Sequence, residues 1–315
     1  MSRPVFFYAT GTAYLLSLVT TSSLLPIGGQ ADLITVPGYR GRDGFWNGRI
    51  TDDVFPVMLD PDKWQARKIT YPASIFPFGG SINSGVAKTV LAISRLPKGT
   101  KFALGGCSQG AAVMSLVLKN YLQTSSAISS RLPDMLGAVM FGNPCRQVNK
   151  TWPAFNTYAG GSFSGSFDVA NSTTGGHGCF PASYRITNTP ANWFEFVGNR
   201  VDQVDIVTCV SSASTNGNNF QAAAGDLLSL EAGALVSVAL SAAKRDAVGA
   251  AATIGAAGHI GYPLLPPPGY ASNAPTSYQI ALEYLDGLGR DAGTAPIVIP
   301  QTAARGWSPR LATRR

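Results

Sequence analysis

Short apolar runs and amphipathic stretches take turns along the first half of the chain. Residues 33–37 (LITVP) are apolar and β-branched and read as a strand, followed by the loop GYRGRDG. Residues 64–72 (WQARKITYP) read as a second strand. Over 81–96, apolar residues at Val86, Val90, Leu91 and Ile93 predict a helix with Ser81 as its N-cap. Pro97-Lys98-Gly99-Thr100 is a turn, and KFALGG (101–106) a strand. AAVMSLVLKNYL (111–122) predicts a helix, and MLGAVMFGNP (135–144) a strand that ends in a Gly-Asn-Pro turn. Further on, ANWFEFV (191–197) is strand-like and leads into an acidic loop. Residues 221–250 look helical, and 275–289 form a last helix closed by glycine. The runs FALGG and GAVMFG have no polar alternation, as expected of strands covered on both faces of a parallel sheet. The predicted fold is α/β: a central, mostly parallel sheet flanked by helices.

Composition narrows this reading. Only 13% of the 315 residues are charged and 45% are hydrophobic, which excludes charge-driven disorder and a coiled coil. The net charge of +7 raises the question of nucleic acid, but the basic residues form no stripe. Their densest group is the tail with Arg305, Arg310, Arg314 and Arg315, read as a solvated end, so no nucleic-acid role is expected. Cys107, Cys145, Cys179 and Cys209 lack zinc spacing and read as thiols, with Cys179–Cys209 the pair best placed to close a loop under oxidising conditions. The apolar stretch 5–28 reads first as a folded segment, then as a secretion signal, and last as a membrane anchor, because Thr, Ser, Gly and Tyr interrupt it.

One motif carries chemistry. Residues 106–110 read Gly-Cys-Ser-Gln-Gly, a G-x-S-x-G between an apolar strand and an amphipathic helix. In that context the serine sits on a sharp turn, with its hydroxyl exposed at the carboxyl edge of the sheet and a helix N-terminus beneath it. Ser108 is therefore the expected nucleophile. It needs a base, and the chain has two histidines, His177 and His259. The order Ser, acid, His selects His259, in Gly-His-Ile-Gly-Tyr-Pro; His177 reads as a loop histidine bonded to backbone. The candidates for the acid are Asp134, Asp168, Asp202, Asp205, Asp226, Asp246, Glu195 and Glu231, and of these Asp202 and Asp205 directly follow the strand-like ANWFEFV. Asp205 is favoured because Ile206-Val207 would bury its carboxylate against the imidazole; Asp202 is the alternative. The oxyanion hole is expected from the N–H of Gln109 and from the loop after the first central strand. If that strand is 33–37, the second donor is Tyr39, beside Gly38. If it is VFFYA, the donor lies in Thr10-Gly11.

At this point the chain resembles a known family. WQARKITYPASIFPFGGSINSGV, PKGTKFALGGCSQGAAV and FGNPCRQ are similar to segments of cutinase-like α/β-hydrolases, and most of all to lysin B, the mycolylarabinogalactan esterases of phages that infect mycobacteria and their relatives. GHGCFPASYRITNTPANWFEFV, then DQVDIV and GHIGYP, follow the same order. The resemblance implies an α/β-hydrolase domain over residues 32–290, with 1–31 a separate segment and 291–315 a basic tail. It implies Ser108, Asp205 and His259 as the triad, and favours Asp205 over Asp202. The implied activity is hydrolysis of the ester between mycolic acids and arabinogalactan, by a monomer that acts at the host envelope once lysis begins, with no metal or cofactor. A secreted form is implied only if the N-terminus is a signal peptide. Two other readings stand beside it: a general cutinase or lipase-type carboxylesterase, and a catalytically silent envelope-binding or virion protein. The chain departs from the family pattern in having Cys107 where Tyr is common, and Pro37-Gly38-Tyr39-Arg40-Gly41 where a His-Gly-Thr-Gly type loop is common.

Overall fold

The computed structural model describes residues 4–9, 59, 64–73, 78–148, 150, 176–200, 203–204, 207–208, 224, 228 and 277–290. Five parallel strands form its centre. They are β1 (Val5–Ala9), β2 (Gln65–Lys68), β3 (Phe102–Cys107), β4 (Met135–Phe141) and β5 (Trp193–Phe196), in the spatial order β2-β1-β3-β4-β5. Helix α1 (Phe78–Ser94) precedes β3, helix α2 (Gln109–Val117) follows it, and helix α3 (Ser277–Arg290) is the last element among the described residues. A short antiparallel pair, β6 (Gly198–Arg200) and β7 (Gln203–Val204), follows β5.

Alternation along the strands builds two cores. Val5, Phe7, Phe102, Leu104, Ala138, Met140 and Trp193 face α1 and α2. Phe6, Tyr8, Ala103, Val139, Phe141, Phe194 and Phe196 face α3, through Tyr278, Ile280, Ala281 and Leu285. Every residue of β1, β3 and β5 is buried, so both faces are covered, and this is why these strands show no polar alternation. Trp64 closes the second core and donates its indole N–H to Leu285 O at 2.9 Å.

Three expectations change. β1 falls within the first 31 residues, set apart above from the catalytic domain, yet it lies in the middle of the same sheet, paired with β2 on one side and β3 on the other. The first strand of the sheet is thus Val5–Ala9 rather than residues 33–37, which lie outside the described residues. Its apolar residues are core, with Phe6, Phe7 and Ala9 fully inaccessible. Ser81 does not cap α1. The helix begins at Phe78, where Gly79 packs on the Leu228 carbonyl, and Ser81 is buried one turn inside. No helix among the described residues is long and apolar enough to cross a membrane.

Candidate active site

In a doubly wound sheet, ligands bind beyond the carboxyl ends of the strands, where the strand order reverses. Here the reversal lies between β1 and β3, and Ser108 is the residue that follows β3. From Phe102 to Leu118 it is the one residue that is not buried. Its backbone has φ 54° and ψ −120°, and it shares a positive φ with only one other described non-glycine residue, Ala73. Such a conformation costs on the order of 1–3 kcal/mol and persists only where the surroundings enforce it. They do so at both ends of the turn. Ser108 N–H extends the sheet ladder to Phe141 O at 2.8 Å, and Ser108 O accepts the first helical bond, from Ala112 N–H at 3.1 Å.

Gly106 makes the turn possible. A Cβ there would lie 2.6 Å from Ala111 N, Ala111 Cα and Gly110 O, so only glycine lets α2 approach β3 this closely. Gln109 opens α2 with its side chain buried, and its Oε1 accepts a bond from Ser81 Oγ at 3.3 Å, tying the turn to α1. The positive end of the α2 dipole thus lies under the serine.

Next to this turn, at the end of β4, stands a buried polar cluster that sequence reasoning missed. Asn143 donates from Nδ2 to Ser115 Oγ at 2.9 Å on α2 and to Glu195 Oε1 at 2.8 Å on β5. Its Oδ1 accepts Cys145 N–H at 2.9 Å. Trp193 Nε1 also donates to Glu195 Oε1, at 2.7 Å. Glu195 is fully buried, and its Oε2 has no hydrogen-bond partner among the described residues. Burial pushes its pKa up to about 7, against the opposing pull of the Trp193 and Asn143 bonds and of the Arg146 and Lys150 charges. Glu195 is thus a core acid and not a loop acid. The sequence names Glu195 among the candidate acids, and the signal for its burial is a lone Glu within the apolar run WFEF.

The other candidates sort as follows. Asp134 lies at the opposite, amino edge of the sheet, bound to Lys101 at 3.1 Å and Arg131 at 2.9 Å, which removes it as a partner for Ser108. His177 is buried, and its Nδ1 lies 2.8 Å from Gly178 O, the backbone-bonded loop histidine expected from sequence. Burial lowers its pKa, helped by the Arg185 and Arg146 charges and opposed by the Gly178 carbonyl. Cys107, Cys145 and Cys179 are buried, while Cys209 lies outside the described residues. So do Asp202, Asp205, His259 and Tyr39, along with Thr10 and Gly11. No group of His, Cys, Asp and Glu among the described residues is arranged to hold a metal ion.

No protein-family model matches the chain. Over 119 residues it is 37% identical to Endolysin B of Mycobacterium phage D29 and 38% identical to Endolysin B of Mycobacterium phage L5. The matched stretch is 36% of this chain and 46% of each relative, so the chain spans about half the length of the curated relatives it matches. Among solved structures, lysin B from mycobacteriophage D29 aligns over 94% of this chain and 93% of its own, with 17% identity and a TM-score of 0.47. The chain is thus an α/β protein with a five-stranded parallel sheet and a strained serine turn at its switch point, similar over 119 residues to phage endolysin B.

Proposed function

We propose that the protein is a serine carboxylic-ester hydrolase that cleaves the ester between mycolic acids and arabinogalactan in the envelope of a phage's host. The observation that carries this reading is Ser108, held at positive φ between β3 and α2 at the carboxyl edge of the sheet. The similarity to two mycobacteriophage proteins named Endolysin B supports a role in breaking down the host envelope, and the lysin B-like motifs of the sequence suggest the mycolyl ester as substrate.

His259 takes the proton of Ser108, and the serine oxygen attacks the ester carbonyl. The tetrahedral oxyanion is held by backbone N–H groups, and its collapse expels the sugar alkoxide, which takes the proton from His259. A water then gives its proton to His259 and attacks the acyl-enzyme, releasing the fatty acid and restoring Ser108. Asp205 holds the imidazole in the required tautomer. Its place in the chain supports this role: it lies between Val204, the end of β7, and Val207, whose carbonyl accepts Cys179 N–H at 2.9 Å. Gln109 N–H is one oxyanion donor. For the second, Tyr39 follows the first central strand only if that strand is 33–37. With β1 ending at Ala9, paired with Gly106, the choice moves to Thr10-Gly11. No step requires a metal or cofactor.

The test is an esterase assay of wild type, Ser108→Ala and His259→Ala, on nitrophenyl esters of increasing chain length and on purified mycolylated cell wall. Each substitution is expected to lower kcat by about 10³-fold or more, and wild type is expected to release mycolic acids. Activity confined to short and medium esters assigns the protein to general cutinase-type esterases. Wild-type activity in Ser108→Ala refutes the serine mechanism.

A further inference from the structure

Three segments meet behind the end of β4, and their backbones interlock. Phe180 N–H donates to Pro144 O at 2.9 Å, Gly178 N–H to Arg146 O at 3.1 Å, and Ile186 N–H to Cys145 O at 3.0 Å. Cys179 N–H donates onward to Val207 O at 2.9 Å. One side chain crosses this lattice directly. Arg146 is fully buried, donating from Nε to Thr208 O at 2.6 Å and from Nη1 to Lys150 O at 2.7 Å. Thr208 is three residues from Asp205. Arg146 is four residues from Gly142, which pairs by its N–H with Phe196 O at 3.3 Å, beside the strand that carries Ser108.

A guanidinium is a costly group to bury, and it stays charged. Lys150 O lies only four residues along the chain, so that bond shapes the local turn. The bond to Thr208 O spans 62 residues and joins the β4 turn to the segment beyond β7. Residues 207 and 208, just past the acid in the chain, are thus held by two bonds: one from Cys179 N–H, whose neighbours 178 and 180 donate to the β4 turn, and one from Arg146 on that turn. A carboxylate that orients an imidazole must itself be fixed, because a misplacement of about 1 Å can cost a hundredfold in rate.

We propose that Arg146 is a positioning residue that, by its Nε–H bond to Thr208 O, anchors the chain three residues after Asp205 to the turn at the carboxyl end of β4. This rests on the reading of Asp205 as the triad acid. Arg146→Lys is the sharpest variant, since it keeps a positive charge near Glu195 but has no donor at the Nε position. It is compared with Asp205→Asn and with the double variant, measuring kcat and KM on a soluble nitrophenyl ester, with thermal unfolding as the check on folding. Arg146→Gln, treated in the same way, is the second variant.

Arg146→Lys is expected to lower kcat roughly tenfold to a hundredfold with KM little changed. The double variant is expected to be no slower than Asp205→Asn alone, because both act through one carboxylate. Losses that multiply in the double variant overturn the proposal, as does a folded Arg146→Lys or Arg146→Gln with full kcat. The acid assignment itself fails separately, if Asp205→Asn keeps full kcat while Ser108→Ala is inactive.

Discussion

The two edges of the sheet bury polar groups in opposite ways. At the amino edge, Arg131 donates to Leu96 O at 3.0 Å, Thr100 O at 3.0 Å and Asp134 at 2.9 Å, closing the end of α1 and the turn before β3. Asp134 is further bound by Lys101. Burial opposes its ionisation, but the bonds and charges of Lys101 and Arg131 outweigh this and lower its pKa. At the carboxyl edge the buried carboxyl, Glu195, is pushed the other way by burial, and one of its oxygens has no partner among the described residues. The first edge is a satisfied ionic clasp that supports the fold. The second carries the strain and the raised pKa that accompany chemistry.

Glycines at the two edges should break this contrast most visibly. Gly106→Ala drives a methyl into the α2 backbone, and we expect kcat to fall about a hundredfold. Gly99, at φ 81°, has open space around its Cβ position. Gly99→Ala should cost about 1 kcal/mol of stability and leave kcat unchanged. Arg131→Ala comes next. It strips the α1 end and the turn of their donor, and urea denaturation should register a loss of about 3 kcal/mol, with kcat in the folded protein intact.

The effects of pH differ in sign between the two edges. The fold raises Glu195 from 4.5 to about 7. Between those values the folded state holds more protons than the unfolded one, so this group's contribution falls as pH rises. Glu195→Gln, which keeps an acceptor for Trp193 and Asn143, should flatten that decline and exceed wild type at pH 8 by about 1–2 kcal/mol. Asp134 has a lowered pKa, so its contribution is complete above its ordinary 3.8 and is lost as pH falls through the folded value. Asp134→Asn should remove about 1 kcal/mol at pH 7 and level the acid limb of the stability curve. Unfolding of both variants from pH 3 to pH 8 checks the two signs together.

What could be read from the sequence follows from how local each signal is. The serine turn was legible because a fully apolar strand, a G-x-S-x-G and an amphipathic helix are contiguous over 102–117. Strands β4 and β5 and helix α3 were legible for the same reason. β1 was legible only as an alternative to 33–37, because VFFYA runs straight into a Thr- and Ser-broken apolar stretch that resembles a leader; its partners at 65–68 and 102–106 decide for it. The strand at 5–9 is what favours Thr10-Gly11 over Tyr39 in the proposed oxyanion hole, and all three residues lie outside the described ones. The start of α1 was misplaced by one turn: Ser81 has the chemistry of an N-cap, but it is buried inside a helix that begins at Phe78. Glu195 was named as an acid but not as a core residue, and Arg146 was passed over, because charged side chains are usually solvated. Nothing local marks the 52-residue span from Asn143 to Glu195, or the 62-residue span from Arg146 to Thr208.

The central place of β1 also bears on synthesis. The ribosome makes this strand before either neighbour, and its flanks stay open until residues 65–68 and then 102–106 emerge. Until then the nascent chain displays five apolar residues, two of them adjacent phenylalanines, of the kind that self-associates. Slowed translation between codons 10 and 100 should therefore favour inclusion bodies, and a chaperone that shelters the first residues should raise the soluble yield.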